Sequence, residues 1–548
     1  MPRRLLLCVL PIVPLALVGC PSSDSSSGGA TDDSGVDPGD TSAGDTGGSP
    51  VDSGGSPTDT GNPPIDTGGG TDSGPTTSGA SVLMHHHDLN RDGLYVDAAF
   101  TKAAAKGLHR EAAFSAKLNG PTYAQPLYVD GGASGKDMLI AATEQNEVTA
   151  FDAASGAQLW TQTLGAPVSR SDLPCGNIDT VGVTGTPVID LASRTLFVDA
   201  MTTPDGGTTK KHLVFGLSLD DGKPRAGWPV DVGAKVSGFT STVQGQRGGL
   251  TLLGGTLYVP YGGFYGDCGD YHGWVVAFPL ASPSSPTSWH TRARAGGVWA
   301  PGGPSSDGTS IFVTTGNTGG TTTWQDGEAA LRLGPGAVFS GATKDYFAPT
   351  DWKSLDDADI DLGGSGALVV DVPGASPSAL IVALGKDGKI YLADRGNLGG
   401  ISSAITNKRV SSDQIINAAV SYTSSTGTYV VFKGRGIGCP AGQSGNLTAG
   451  KISATAPPGV SVAWCADEHG GGSPMVTSDG KSDFIVWGLG AGGDDRVRGF
   501  DGDTGATIFA GGGAADAAGS TQRFQTAIVA KGRLFVGSDD GLYAYALK

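Results

Sequence analysis

The chain is 548 residues long, with 91 Gly, 32 Pro, only 16% charged residues and a formal net charge of −17. Gly and Pro weaken helix interiors and suit tight turns, so the composition excludes a helical bundle, and the length excludes a single small core. Setting aside Arg3, Arg4 and the ten Asp of residues 21–80 leaves 34 basic and 43 acidic residues, net −9, in residues 81–548. A mildly acidic body without a basic stripe excludes nucleic acid as a partner.

Arg3 and Arg4 form a positive leader, Leu5 to Val18 an apolar stretch broken by Pro11 and Pro14, and L-V-G-C closes it at Cys20. The run falls short of the roughly 20 residues of a membrane-spanning helix, and no later run is long enough. The L-V-G-C ending resembles the lipobox of bacterial lipoproteins. That resemblance implies a signal peptide over residues 1–19, cleavage before Cys20, and acylation of its thiol as the contact with a membrane. Pro21 and Ser22, with no Asp directly behind Cys20, favour the outer membrane over retention at the inner one. Residues 21–80 continue almost wholly as Ser, Gly, Thr, Asp and Pro, without a single Lys, Arg or aromatic residue. Such a stretch buries too little apolar surface to offset its ordering entropy and reads as a disordered tether, with a reach of roughly 40–45 Å.

From residue 81 the chain becomes a succession of apolar β segments separated by Gly-rich turns, with one amphipathic helix candidate over 96–108. The clearest unit runs from Y-A-Q-P-L-Y-V (123–129) through M-L-I-A-A-T (138–143) and V-T-A-F-D (148–152) to Q-L-W (158–160). Further units start near Gly185, Gly249, Pro301, Gly363, Ile415, Gly471 and Phe524, giving eight over 468 residues, or about 58 residues each against roughly 40–45 for a minimal propeller blade. Several blades therefore carry long loops. A unit of this kind cannot cover both sheet faces by itself, and radial closure solves that problem while leaving only short edges. The fold expected is an all-β, eight-bladed β-propeller behind a disordered tether, with seven blades and an open solenoid as alternatives. The last unit stops after three strands, and A-A-F-S-A-K-L (112–118) is a spare strand just before the first unit, so this segment is expected to complete the last blade and lock the ring as a monomer.

The strand–turn–strand at A150-x-D152-x-x-S155-G156-x-x-x-W160 resembles the repeat of pyrroloquinoline-quinone-type propellers. In that repeat the Asp organises the turn, Gly takes positive φ and Trp packs between neighbouring blades. Asp152, Gly156 and Trp160 fill these places, Asp501 and Gly505 begin a second copy with Phe509 in the Trp position, and Leu219 to Trp228 is a stretched third. The strings H-H-D-L-N-R-D-G, T-Y-A-Q-P-L-Y-V, G-V-T-G-T-P-V-I-D and G-K-D-G-K-I-Y-L-A-D-R-G-N-L-G-G are similar to exported bacterial quinoprotein-like propeller proteins. That group includes dehydrogenases, assembly scaffolds and surface proteins, so the resemblance implies the fold more than an activity.

Quinoprotein alcohol dehydrogenases carry two adjacent cysteines over the quinone together with acidic and Asn ligands for Ca²⁺; this chain has no Cys-Cys pair and no C-x-x-C-H haem site. Cys8 leaves with the leader and Cys20 takes lipid, so Cys175, Cys268, Cys439 and Cys465 remain, allowing three pairings. Cys439–Cys465 closes one local excursion, and Cys175–Cys268 follows by elimination. Asp88-x-Asn90-x-Asp92-Gly93 resembles the first half of a calcium loop, but its twelfth position is Ala99, so an Asx turn competes with a metal site. His85 and His87, alternating with His86 on an extended chain, are a second metal candidate. Asp357, Asp359 and Asp361, beside Asp356, share a face if their segment is extended, which suits Ca²⁺. His272 and Asp270 lie in a Gly-rich loop with a cysteine and aromatics and are the catalytic candidates, without an identifiable nucleophile. Arg247, Lys386 and Arg395 either point into the channel or pair with an Asp of their own turn, and the second reading is preferred.

The leading expectation is an exported, lipid-anchored propeller that binds or scaffolds an unidentified protein or small molecule at the cell envelope. The alternative is an enzyme of the propeller face, with pyrroloquinoline quinone and Ca²⁺ as the implied cofactors or with an Asp–His pair for hydrolysis. A Ca²⁺-stabilised adhesin is the third possibility.

Overall fold

The computed structural model describes residues 80–548. The expected signal peptide over residues 1–19, the acylated Cys20 and the tether up to residue 79 lie outside the described residues. The described chain forms eight sheets of four or five strands, and each is one blade of a closed β-propeller. Blade 1 contains Leu127–Val129, Met138–Ala142, Glu147–Asp152 and Gln158–Thr163, from inside to outside. The inner strands of blades 2 to 8 start at Val188, Gln244, Ser305, Leu368, Val420, Met475 and Ile528.

Alternation along a strand explains why these segments read as unbroken apolar runs. All five residues of Met138–Ala142 are buried, and successive side chains point to opposite faces of the sheet. Leu139 and Ala141 join Phe535 of blade 8, whereas Ile140 and Ala142 join Leu196 and Val198 of blade 2. Each sheet is thus sandwiched between two others, and apolar residues are favoured at its central positions.

The Trp–Gly repeat seals these interfaces from one blade to the next. Trp160 donates its indole N–H to the Leu219 carbonyl of blade 2 at 2.9 Å, and a Cβ on Gly222 would come within 2.6 Å of its ring. Trp464 of blade 6 does the same to the Gly502 carbonyl of blade 7 at 2.7 Å, under Gly505, whose φ is +71°. Within each turn the Asp carboxylate accepts backbone N–H groups, from Ala154 to Asp152 and from Asp503 and Thr504 to Asp501.

The ring closes through the N-terminal part of the body, slightly earlier than expected. His109–Arg110 and Ala116–Lys117 both pair antiparallel with Gly541–Ala546, the third strand of blade 8. The helix expected over 96–108 is corrected to one turn, Lys102–Ala105; Val96 belongs to a strand, Leu94–Val96, parallel to Met475–Ser478 inside blade 7. The apolar spacing there serves a channel-lining strand followed by a tight turn. Both disulfides form as expected, Cys175–Cys268 and Cys439–Cys465, with Cα separations of 5.9 and 5.7 Å. No helix among the described residues is long and apolar enough to cross a membrane.

Candidate functional site

Every inner strand of a propeller turns one edge of N–H and C=O groups toward the channel, and those groups need partners. Here residues 82–97 supply them from within the same chain. Val82 exchanges two hydrogen bonds with Tyr128 of blade 1, and the Leu83 carbonyl accepts from Ile189 of blade 2. The carbonyls of Leu89, Asn90, Asp92 and Gly93 accept from Ser306, Val369, Ser421 and Val476 of blades 4 to 7. Arg91 reaches blade 3 by donating to the Leu250 carbonyl at 2.9 Å, and the Asp97 carboxylate accepts from Gly532 of blade 8 at 2.6 Å. The segment is an internal belt that touches all eight blades and fills the channel.

Two ends of the channel can be distinguished. We call the lower face the end at which the inner strands finish, and the upper face the end at which they begin. The belt enters at the lower face, where Ser81 accepts a hydrogen bond from Asp130 at 3.0 Å, and it leaves there beside blade 7, where Lys102 pairs with Asp501 at 2.9 Å. Its exit borders a cavity of about 220 Å³ lined by residues that include Ala80, His87, Tyr95, Asp97 and Lys531. Its turn at His86 reaches toward the start of the blade 1 inner strand, where the His86 amide donates to Gln125 at 2.9 Å. Arg91 is buried, donates to the carbonyls of His85, Pro304 and Leu250 and to Thr251 Oγ1 at 2.6–3.2 Å, and is lowered to about 9 by burial.

Of the metal candidates on this belt, Asn90 and Asp92 are used within a turn, whereas His85 Nδ1 and both His86 ring nitrogens are buried without a partner among the described residues. Asn90 Nδ2 donates to Asp92 Oδ2 at 3.0 Å, Asn90 Oδ1 accepts from the Asp92 amide, and Asp92 Oδ1 accepts from Leu94, which makes an Asx turn. Burial, followed by the charge of Asp88, raises Asp92 to about 6. The histidines diverge: the His85 ring lies 4.3 Å from that of His86, whereas His87 turns to Asp88 at 2.9 Å and to Tyr95. Burial and the Arg91 charge hold His86 at about 3, so it is neutral.

The acidic cluster departs from the extended reading. Trp352–Asp357 is a short helix, with Asp357 pairing to Lys353 four residues back, and Asp359 takes φ +53°. Asp356 accepts from Thr318 and Gly320. The three carboxylates therefore do not share a face; instead Lys386 bridges Asp361 at 2.8 Å and Asp359 at 3.0 Å and stacks over Trp299. Helix formation replaces the period of two by one of 3.6 and rotates Asp357 away. No group of three or more metal-ligating side chains converges among the described residues. His272 lies in its loop with Nδ1 on the Thr291 carbonyl at 2.8 Å and its backbone held by Gln244, and Asp270 is exposed on the same loop. The two form no hydrogen bond with each other.

Of the three cations considered for the channel, Arg395 pairs with Asp371 at 2.7 Å and Lys386 with Asp361, each an Asp of a neighbouring turn and not of its own. Arg247 departs from the preferred reading: it has no Asp partner. It stands at the upper mouth on blade 3, its guanidinium 5.0 Å from the ring centroid of Phe524 on blade 8, so the two span the mouth across blades 1 and 2. Phe524 has φ +71°, a strained conformation for a bulky side chain. Around them stand half-buried Tyr123, the buried Glu144 carboxyl and Gln246. Glu144 Oε2 accepts from Gly182 at 2.6 Å, but its Oε1 and Gln246 Oε1 are buried without a partner among the described residues. Burial raises Glu144 to about 7, against the opposing pull of the Gly182 amide and Arg247.

Both disulfides pin loops of this same face, 264–273 and 434–446, and those loops expose Tyr265 and Ile437. Sequence reasoning missed the site because its members come from the ends of blades 1, 3 and 8 and share no motif. The one available signal was the absence of an acidic neighbour for Arg247.

No protein-family profile and no curated protein matches the sequence. Solved structures do match in fold. The chain superposes on the quinohemoprotein alcohol dehydrogenase of Comamonas testosteroni with a TM-score of 0.57 at 14% identity, covering 85% of this chain and 80% of the other. It superposes on the quinohemoprotein alcohol dehydrogenase ADHIIG of Pseudomonas putida HK5 with 0.57 at 11%, with the same coverage. A europium-containing methanol dehydrogenase gives 0.58 at 12%, covering 85% and 98%. The architecture is that of the quinoprotein eight-bladed propeller.

Proposed function

We propose that the protein is an exported, lipid-anchored propeller that binds its ligand at the upper mouth, and that it does not carry out quinone redox chemistry. The observation that carries this reading is the belt: residues 82–97 occupy the ring interior and satisfy its inner edges, and Arg247 and Phe524 cross the mouth above them. These residues do not fit a quinone clamped within the ring, and the two disulfides join residues far apart in sequence at the rim, where no vicinal pair lies over the channel. The disulfides support maturation outside the reducing cytoplasm, and the L-V-G-C ending at Cys20 supports acylation.

Mixing the purified protein with pyrroloquinoline quinone and Ca²⁺ is expected to give neither a stoichiometric quinone absorbance nor dye reduction with alcohols or sugars. A one-to-one quinone complex would falsify the non-redox reading. For the anchor, inhibiting the lipoprotein signal peptidase is expected to accumulate uncleaved precursor; release of a processed, unlipidated protein would show that Cys20 is not acylated.

A further inference from the structure

We infer that the upper mouth is a site for a hydroxylated organic carboxylate, whose acid group pairs with Arg247, whose body lies against Phe524 and Tyr123, and whose hydroxyls donate to Glu144 and Gln246. This rests on the reading of the upper mouth as the binding face and names the chemistry it selects.

A guanidinium offers five N–H donors in a planar fork and accepts nothing, so its complement is a planar anion. Most arginines of this ring that stand near a carboxylate are paired, as Arg292 is with Asp326, Arg332 with Asp345 and Arg498 with Asp494. Arg247 has neither a hydrogen bond nor an ion pair among the described residues, although Glu144 is close enough for each to alter the charge of the other. Burial lowers Arg247, and the fields of Tyr123 and Glu144 only partly offset this; an incoming anion would supply the missing counter-charge. The ring beneath it is held at a cost, since Phe524 keeps φ +71°, with its amide donating to Gly471. The remaining unmet groups are acceptors, Gln246 Oε1 at any pH and Glu144 Oε1 once its carboxyl ionises above about pH 7. Glu144 Oε1 and Gln246 Oε1 are both buried and unpartnered, while their other atoms are fixed by Gly182 and Gly248. Unmet acceptors call for hydroxyl donors and disfavour a bare aromatic acid or an inorganic anion. A charged head, hydroxyls and a compact body able to lie on an aromatic face together describe a uronate-like acid.

The test uses titration calorimetry on the mature protein with D-glucuronate, D-glucose and benzoate. Glucuronate is expected to bind one to one, with glucose and benzoate each weaker by about tenfold or more, because each lacks one half of the recognition. Arg247→Gln is expected to weaken glucuronate by about tenfold or more while leaving the unfolding midpoint close to that of the parent, and Arg247→Lys to recover part of the loss. Absence of glucuronate binding, equal binding of glucuronate and glucose, or an affinity unchanged in a folded Arg247→Gln protein would each overturn the inference. The comparison of glucuronate with glucose on the unaltered protein stands even if the variants do not fold. Quinone binding would defeat the non-redox reading by a separate signal, its absorbance, and so distinguishes failure of that reading from failure of this one.

Discussion

Glu144 concentrates the chemistry of the mouth in one carboxyl group. It is fully buried, one oxygen is unpartnered, and burial lifts it from 4.5 to about 7. A carboxyl raised in the folded state binds its proton more tightly there than in the unfolded chain. Its contribution to stability is therefore fully present below about pH 4.5 and is lost as pH rises through about 7. The shift corresponds to roughly 3 kcal/mol as an upper bound. Glu144→Gln copies the protonated form, so the variant is expected to match the parent at about pH 4 and to exceed it by up to about 3 kcal/mol at about pH 8 in urea unfolding. Equal stabilities at pH 8 would mean that the carboxyl ionises in the fold without cost. Arg247, by contrast, was placed by sequence reasoning beside an Asp of its own turn, and it departs from that because pairing depends on which hairpin ends meet at the mouth. Spacing along the chain does not contain that information.

At the scale of the element, the belt is what separates this ring from an open channel. Its H-H-D-L-N-R-D-G string invites a reading in terms of metal ligands, yet the atoms that matter most are the backbone carbonyls of Leu89, Asn90, Asp92 and Gly93 and the guanidinium of Arg91. Backbone acceptors leave no side-chain signature, which is why the string was legible as a turn and illegible as a belt. Arg91 ties the belt to blades 3 and 4 through Leu250, Thr251 and Pro304. Arg91→Met keeps much of the volume but strands two buried carbonyls, those of His85 and Leu250, whereas the Pro304 carbonyl still accepts from Thr251 Oγ1. It is expected to cost about 3 kcal/mol or more, read as a lowered urea midpoint. A loss below about 0.5 kcal/mol, the range of ordinary surface changes, would show that the belt is held by its backbone alone. The corrected segment at 96–108 teaches the same point, since Leu94–Val96 is drawn into a strand by the free edge of Met475–Ser478, with Leu94 opposite Val476 and thus more than 380 residues away in sequence.

For the whole molecule, closure and orientation follow from the two ends of the body. His109–Arg110 and Ala116–Lys117 close blade 8 by pairing with Gly541–Ala546, so the last three strands cannot be completed without the first forty residues of the body. The same N-terminal stretch then fixes the entry point at the lower face and leaves the disulfide-pinned loops on the opposite one. Arg247 and Phe524 stand on that opposite, upper face together with the pinned loops.

The sequence by itself determined the all-β repeat and the Asp–Gly–Trp turn grammar, and it favoured eight blades over seven, a closing strand near 112–118 and one of three cysteine pairings, which the structure then settled. Each is encoded locally, by period-two apolar runs, by turn residues at fixed offsets, or by the small number of cysteines. Only the tertiary structure decided that the channel is filled, that Asp357 parts from Asp359 and Asp361, and that Arg247 meets Phe524 from five blades further along the chain. Those outcomes depend on which loop ends a closed ring brings together, and closure is a property of all eight sheets at once.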